Sequence, residues 1–286
     1  MSITLETCVS MMLMDSYTFA QYFNRASSNR GGGDIFSPAV MERIKAYQEG
    51  TLTATTVDNG SGIWQKWANA NGNTDWFGEF YDNWVPSQEH NLSISGGTEK
   101  LQYVLSGSFL DQKGLLRHGT DKFQRYTLNS KITANITDWL KVTLNSKWTR
   151  EDFQRPTYLT SSFFHNLARK WPVHPAYDPN GFPMDEGEIE QMENGGEQNS
   201  QKDYYTNQLH VVIEPIKNWR INLEGSVRTT TQYQHWEVLP VHAYDVNGDP
   251  YYTVWDMGYG SYSAGSSRVD EYSWKENYYT TNIYSD

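Results

Sequence analysis

Residues 125–148 read RYTLNSKITANITDWLKVTLNSKW. In the first half the even positions carry Tyr126, Leu128, Ser130, Ile132, Ala134 and Ile136, and the odd ones Thr127, Asn129, Lys131, Thr133 and Asn135. Side chains on a strand point alternately to opposite faces, so this spacing predicts a strand with one apolar and one polar face. After a tight ITD bend at 136–138 the pattern resumes, with Leu140, Val142, Leu144 and Trp148 against Lys141, Thr143, Asn145, Lys147 and Thr149. Soluble strands average about five or six residues, whereas tilted membrane-spanning strands need about nine to eleven. Both strands here reach the longer class.

The same pattern extends outward. Upstream, HNLSISGGTEKLQYVLSGSFLDQKG at 90–114 is a hairpin on a Gly-rich bend. Downstream, Trp219, Ile221, Leu223 and Val227 alternate with Arg220, Asn222, Glu224 and Arg228, a less strict strand covers 204–214, and a final one is expected to begin near 274. The bends GGTE (96–99), ITD (136–138) and EPIKN (214–218) are short, while the connections at 111–122, 151–203 and 231–273 are long. Short and long connections therefore alternate. This places tight turns at one end of an antiparallel meander and long loops at the other, the habit of outer-membrane barrels. The expected fold class is all-β, with residues 87–286 as the strand-and-loop region and 1–86 as an irregular, partly helical segment leading into it. Within that segment Ser37-Pro38 and AVMERIKAYQEG predict a helix: Ser at the cap, Pro in the first turn, Val40, Ile44 and Tyr47 on one face, and Gly50 as the stop. About seven long strands with one clear helix to cover them argue for a membrane wall. A soluble or secreted β-rich carbohydrate-binding protein is the alternative. Six or seven strands cannot close a membrane barrel, which needs about eight, so the chain is expected to be part of a larger one.

Composition narrows the function classes. Only 37% of the 286 residues are hydrophobic, yet 15% are aromatic, with 20 Tyr and 11 Trp, which is unlike the aromatic-poor signature of disorder. A net charge of -11 without a Lys/Arg cluster argues against nucleic-acid binding. The single cysteine, Cys8, excludes an internal disulfide framework and a Cys-based zinc site. No apolar run approaches the length of a spanning helix. The amino terminus MSITLETCVSMMLMDSY has no basic region and is interrupted by Glu6, so a signal peptide is not expected in it.

No enzymatic chemistry and no cofactor are expected. The seven histidines show no HExxH spacing, and GxSxG and phosphate-loop motifs are missing. Asp245, Asn247, Asp249 and Asp256 echo a calcium loop, but Pro250 sits where Gly is required, so DVNGD and its sister YDPNGFP at 177–183 are read as turns. His235 and Glu237 sit two apart within a predicted loop, and the acidic run over 185–203 reads as a solvated loop. The aromatic-rich stretch 232–279 is the more informative. Sugar rings offer apolar C–H faces and hydroxyl edges, which aromatic platforms and carboxylates match. The expected substrate-binding residues are Tyr233, Trp236, Tyr251, Tyr252, Trp255 and Asp256; packing against the loop itself or a lid protein is the alternative.

Several segments, in consecutive order, resemble the SusC/RagA-like TonB-dependent outer-membrane transporters: NTDWFGEFYDNW (73–84), HNLSISGG (90–97), LQYVLSGSFLDQKGLL (101–116) and RYTLNSKITANITDWLKVTLNSKW (125–148). LMDSYTFAQYFNRA (13–26) and FSPAVMERIKAYQEG (36–50) look like the segment that precedes those strands. The resemblance implies a 22-stranded barrel with an amino-terminal plug, a SusD-like surface lipoprotein partner, energy from the TonB complex, contact with outer-membrane lipid, and an oligosaccharide or peptide cargo. The family's plug and TonB-contacting segment are not matched here. What it implies for this chain is a partial importer located in the outer membrane.

Overall fold

The computed structural model describes residues 14–253, 255–256, 261–262 and 265–286. Seven strands form one antiparallel meander in sequence order: β1 (Ser87–Gly97), β2 (Leu101–Lys113), β3 (Lys122–Thr137), β4 (Leu140–Pro156), β5 (Glu197–Ile216), β6 (Trp219–Val238) and β7 (Arg268–Ser285). β1 and β7 are its open edges. Five helices accompany it: α1 (Ser16–Asn29), α2 (Pro38–Gln48), α3 (Trp76–Phe80), α4 (Ser161–Leu167) and α5 (Ile189–Asn194). α2 starts as its sequence requires, with the Ser37 side chain accepting from the Val40 N–H, and Gly50 has the positive φ of a helix stop.

The strands run further than the hydrophobic alternation. β5 begins at Glu197 and β7 at Arg268, and β6 continues to Val238, well into stretches the sequence suggests are loops. Both faces of these extensions are polar, as in QNSQKD (198–203) and TTTQYQ (229–234), so no apolar period marks them. Cross-strand hydrogen bonding, not side-chain patterning, defines these strands.

The tight turns lie at the other end. At Gly97 a Cβ would come within 2.2 Å of the Leu101 carbonyl, and φ is +146°, so only glycine fits that turn. The Thr98 hydroxyl then accepts from the N–H groups of Lys100 and Leu101. In the β5–β6 turn Asn218 takes a left-handed conformation, and its N–H donates to the Glu214 carboxylate at 3.0 Å.

Pairing register sorts the side chains into two continuous surfaces. One carries Leu92, Ile94, Leu105, Leu128, Ile132, Leu144, Leu209, Val227 and Ile283. Leu92 is 70% exposed and Leu128 56%, and Ile283 reaches 71%. Burying one such side chain is worth about 1.5–3 kcal/mol, so a row of them facing water would be strongly unfavourable. Trp139 and Trp219 stand exposed at the tight-turn end of the wall, and Trp148 packs beside Tyr205 higher up. Such aromatic positions suit membrane–water interfaces. A shallow concavity of about 810 Å³ on this face, around Gly107 and walled by Leu92, Ile94, Leu128, Trp148 and Tyr205, suits acyl chains better than a polar solute. The opposite surface carries Arg125, Thr127, Lys131, Thr143, Asn145, Lys147, Thr206, Gln208, Glu224 and Arg228. This is the cross-section of a barrel wall, apolar outside and polar inside, left unclosed at β1 and β7.

The core proper sits at the long-loop end. Trp76 and Phe80 of α3 pack with Tyr158, Phe163, Leu167, Ile189, Met192, Val238 and Val241. A second cluster joins Ala20 of α1, Phe36, Val40 and Ile44 of α2 to Val173 in the β4–β5 connection. Residues 14–86 therefore share their cores with the long connections rather than forming a separate unit.

The face assignment predicts an asymmetry between neighbouring substitutions in the full-length protein. Leu128→Arg on the apolar face should cost about 2–4 kcal/mol in a bilayer. Asn129→Arg, one residue on, should cost far less. Folded fractions in lipid, read by heat-modifiable gel mobility, should separate the two variants.

Candidate functional site on the polar face of the wall

Strand pairing stacks the polar face in rows. Arg125, Glu151, Lys202 and Gln232 are cross-strand partners in one row. The next holds Thr127, Thr149, Tyr204 and Thr230, and the one below it Asn129, Lys147, Thr206 and Arg228. Arg125, Lys147, Glu151, Tyr204 and Arg228 line a depression of about 650 Å³. The Tyr204 hydroxyl donates to Glu151 Oε2 at 3.3 Å, and its ring lies under Lys202 Nζ at 5.0 Å and the Arg228 guanidinium at 5.9 Å.

Above this, toward the loop end, the chemistry becomes amide and aromatic. Trp274 ends the Arg125 row itself, its Nε1 donating to Gln232 Oε1 at 3.0 Å, while two rows higher Arg155 donates to Gln198 Oε1 at 2.7 Å. Arg155, Gln198, Gln234, Trp236, Thr160 and Phe164 line a second depression of about 670 Å³. The polar face thus presents rings, amides, hydroxyls and cations along one column.

Of the six residues expected to bind substrate, the four whose side chains are described do not converge. Trp236 faces the polar side, half-buried against the core of the loop layer. Tyr233 has the opposite parity and lies on the other side of the sheet, lining a cleft with Gln124, Asp152 and Gln201. Tyr251 points inward, its hydroxyl 3.5 Å from Asp185, and burial together with that carboxylate pushes its pKa up to about 12. Tyr252 is exposed and packs on His242, ring centroids 4.6 Å apart. The backbones of Trp255 and Asp256 pair with Tyr262 and Ser261, but their side chains lie outside the described residues. Missed by the sequence reading were Lys202 and Tyr204, which sit where β5 has no apolar alternation.

The acidic run over 185–203 is largely drawn into ion pairs rather than solvated: Asp185, Glu186, Glu188, Glu193 and Asp203 face cations or histidine, while Glu190 and Glu197 accept from the amides of Asn194 and Gln154. Glu188, held at φ +71°, is buried and accepts from Tyr158 Oη at 2.8 Å, Asn166 Nδ2 at 2.7 Å and Lys170 Nζ at 2.8 Å. Burial pushes the Lys170 ammonium below the ordinary lysine range, against the opposing pull of Glu188. Its Nζ also lies 4.7 Å from the Trp76 ring centroid. Lys66 pairs with Asp185 at 2.7 Å, and Asp203 receives Arg150 through two bonds of 2.9 Å. His174 is stacked between Trp67 and Trp76; its Nδ1 accepts from the Trp67 N–H at 3.4 Å and its Nε2 donates to the Asp185 carbonyl at 3.1 Å. Burial, reinforced by Lys170 and Lys66, holds its pKa well below the usual histidine value.

The three Asp-led loops are turns that pack on one another. Asp245 Oδ1 accepts from the N–H groups of Asn247 and Asp249, and Asp178 Oδ1 from those of Asn180 and Phe182. Phe182 stacks on Tyr244 at 4.0 Å, while the Val246 N–H donates to Gly62 in a third turn, led by Asp58. Their aspartates are thus committed to backbone groups. No cluster of three or more metal-ligating side chains occurs among the described residues. His235 lies in β6 rather than a loop, 2.6 Å from Glu271 on β7 and 3.6 Å from Glu237.

Comparison with known proteins agrees with this geometry. No protein-family model matches the chain. The TonB-dependent receptor SusC of Bacteroides thetaiotaomicron is 32% identical over 77 residues, 27% of this chain and 7% of that protein. The TonB-dependent receptor P3 of Formosa agariphila is 34% identical over 73 residues, 26% of this chain and 7% of that one. Among solved structures, the RagAB peptide importer in its open-open state superposes with a TM-score of 0.64 at 16% identity, covering 96% of this chain and 29% of the other. A second RagAB peptide transporter structure gives 0.57 at 19% identity over 80% and 27%. The structural likeness establishes the fold. The chain is similar to a section of the SusC/RagA-like TonB-dependent receptors and has the fold of a part of their barrel wall, and its matches span only a minor part of each relative's length.

Two tests address the loop layer. Lys170→Met strands Glu188 as a buried unpaired charge, so it should destabilise the layer by about 3–5 kcal/mol, and adding Glu188→Gln should recover part of that loss. Thermal melting of the full-length protein reads both changes. For His174 the unfolded imidazole takes a proton near 6.5 while the folded one resists until well below it. Its contribution is therefore intact above about pH 6.5 and declines progressively below it, until the pH falls through the lower folded-state pKa. Amide-exchange protection at residues 66–76 and 171–187 should drop between pH 7.5 and 5, and the drop should be smaller in His174→Phe.

Proposed function

We propose that this chain is a wall-and-loop section of a SusC-like TonB-dependent importer in the outer membrane, taking up oligosaccharides. The parent protein would work with a SusD-like surface lipoprotein seated over the long-loop end and draw energy from the TonB complex through parts outside the matched region. Residues 87–286 are the barrel segment with its long loops, and 1–86 the irregular, partly helical segment leading into it, of which 14–86 pack against the long connections. The observation that carries this reading is the seven-stranded wall itself: one exposed apolar face, one polar face, tight turns at one end and all long segments at the other. A soluble carbohydrate-binding protein would have to cover the apolar face, and no helix or loop among the described residues does so.

Of the expected binding residues, Trp236 is the one that faces the lumen column; Tyr251, Tyr252, Trp255 and Asp256 belong to the outer rim, and Tyr233 to its other side. A peptide cargo is the second reading, favoured by the fold likeness to the RagAB peptide importer.

The test uses the intact gene product in its native host. Deletion should abolish growth on a specific oligosaccharide, inactivation of TonB should do the same, and a neighbouring surface lipoprotein should co-purify with the transporter. Uptake that persists without TonB would overturn the importer reading. Trp236→Ala should weaken oligosaccharide binding by the purified complex several-fold, and Tyr233→Ala should not.

A further inference from the structure

The polar face carries a charge opposite to that of the chain. Overall the protein has a net charge of -11, yet the rows from Arg125 down to Lys131 bring together Arg125, Lys202, Lys147, Arg228 and Lys131 against Glu89, Glu151 and Glu276. Elsewhere many cations are neutralised at close range: Lys66 by Asp185, Arg117 by Asp82, Lys122 by Asp111, Arg150 by Asp203, Lys170 by Glu188 and Arg220 by Glu214. Arg125, Lys131, Lys147, Lys202 and Arg228 have no carboxylate within 4.0 Å among the described residues. Glu151, the one carboxylate lining the depression, already accepts from the Tyr204 hydroxyl.

Height along the wall matters too. Arg125 is twelve residues from the β3 end at Thr137, and Lys147 seven from the β4 start at Leu140, placing them roughly 40 and 23 Å along their strands from the tight turns. With an apolar band about 25 Å tall on tilted strands, the patch occupies the half of the wall nearest the long loops, below Trp236 and with Trp274 in its uppermost row.

We infer that this patch is a subsite for an acidic oligosaccharide, with Arg125, Lys147 and Arg228 receiving its carboxylate or sulfate groups. The inference rests on the importer reading and names its substrate class. Arginine pairs with oxyanions through two parallel N–H donors, and a depression walled by low-dielectric protein focuses its field on an entering anion. Between the cations stand the hydroxyls of Thr127, Thr149 and Thr206 and the face of Tyr204, which match sugar hydroxyls and a C–H face. An acidic peptide would use the cations, but the hydroxyl-bearing threonines between them offer its side chains no apolar pocket, and the rings of Tyr204 and Trp274 stand beside the cations as flat platforms.

The experiment uses the full-length transporter, with its lipoprotein, in nanodiscs. Calorimetry compares tetragalacturonate, a sulfated carrageenan tetrasaccharide, maltotetraose and tetraglutamate at low and high salt. The expected result is a preference for one of the acidic oligosaccharides over maltotetraose that weakens with salt, with galacturonate and carrageenan separating carboxylate from sulfate recognition. Arg125→Gln/Lys147→Gln/Arg228→Gln should reduce that affinity by about tenfold, and Arg125→Lys/Arg228→Lys, which keeps the charge but loses the paired donors, should fall between the unmodified protein and the triple variant. Lys141→Gln, near the tight turns, serves as a control for loss of a polar-face charge outside the patch and should leave the affinity unchanged, and heat-modifiable mobility checks folding of each variant. Equal affinity for neutral and acidic oligosaccharides, an unchanged preference in the triple variant, or stronger binding of tetraglutamate would each overturn the inference. TonB-dependent uptake of a neutral oligosaccharide with no charge preference would sink this subsite and leave the importer reading standing; no TonB-dependent uptake of any solute would sink both.

Discussion

A single sheet has no interior, so each of its strands must satisfy two different surroundings at once. Everything else in this molecule follows from that constraint. Leu128, Ile132 and Leu144 need an apolar medium on one side, while Arg125, Lys147 and Arg228 need a polar one on the other, and the backbone between them is fully hydrogen-bonded to its neighbours. Lipid outside and a hydrated lumen inside meet both demands without any second layer of secondary structure. The exposed edges at β1 and β7 are where a closed wall would continue.

The loop end solves a different problem. Long connections over a lumen gain nothing from lipid, so they must build a core of their own. They do so by pooling residues distant in the chain: Trp76 and Phe80 before the first strand, Phe163 and Met192 between β4 and β5, Val238 and Val241 after β6. Polar groups inside that layer are satisfied in sets, as in the Lys170–Glu188–Tyr158–Asn166 network and the bridge from His118 to Glu79 and Glu193. A network satisfied to this degree specifies one arrangement, because removing a partner leaves a buried charge exposed to nothing. The outer rim is consequently a rigid frame around the polar column, and the wall and rim together shape the depressions beneath Trp236.

The two strands at 125–148 show how much of this is legible locally. Their alternation, the tight turn between them and the Trp after it identify lipid-facing and lumen-facing residues before any coordinates exist, because period two is a property of the extended backbone. The helix at 38–48 is equally readable from its Ser cap, Pro and Gly. Residues 197–203 and 231–238 are not. Where a strand rises above the membrane both faces are wet, the apolar period vanishes, and cross-strand hydrogen bonds alone keep the chain extended. The aromatic set is split for a related reason: Tyr233 and Trp236 are close in sequence, but an odd spacing on a strand sends them to opposite sides.

Sequence by itself determined the class of wall, the direction of its faces, the alternation of turns and long segments, and the likeness to TonB-dependent receptors, since each is written in local periodicity or in consecutive motifs. Tertiary structure alone decided that Glu188 and Asp203 are buried in ion pairs, that residues 14–86 share a core with the loops, and that Arg125, Lys147, Lys202 and Arg228 gather around Tyr204. Those groupings depend on which residue pairs with which across strands and on charges brought together from separate elements. Register and long-range packing set them, and neither is a property of any short stretch of chain.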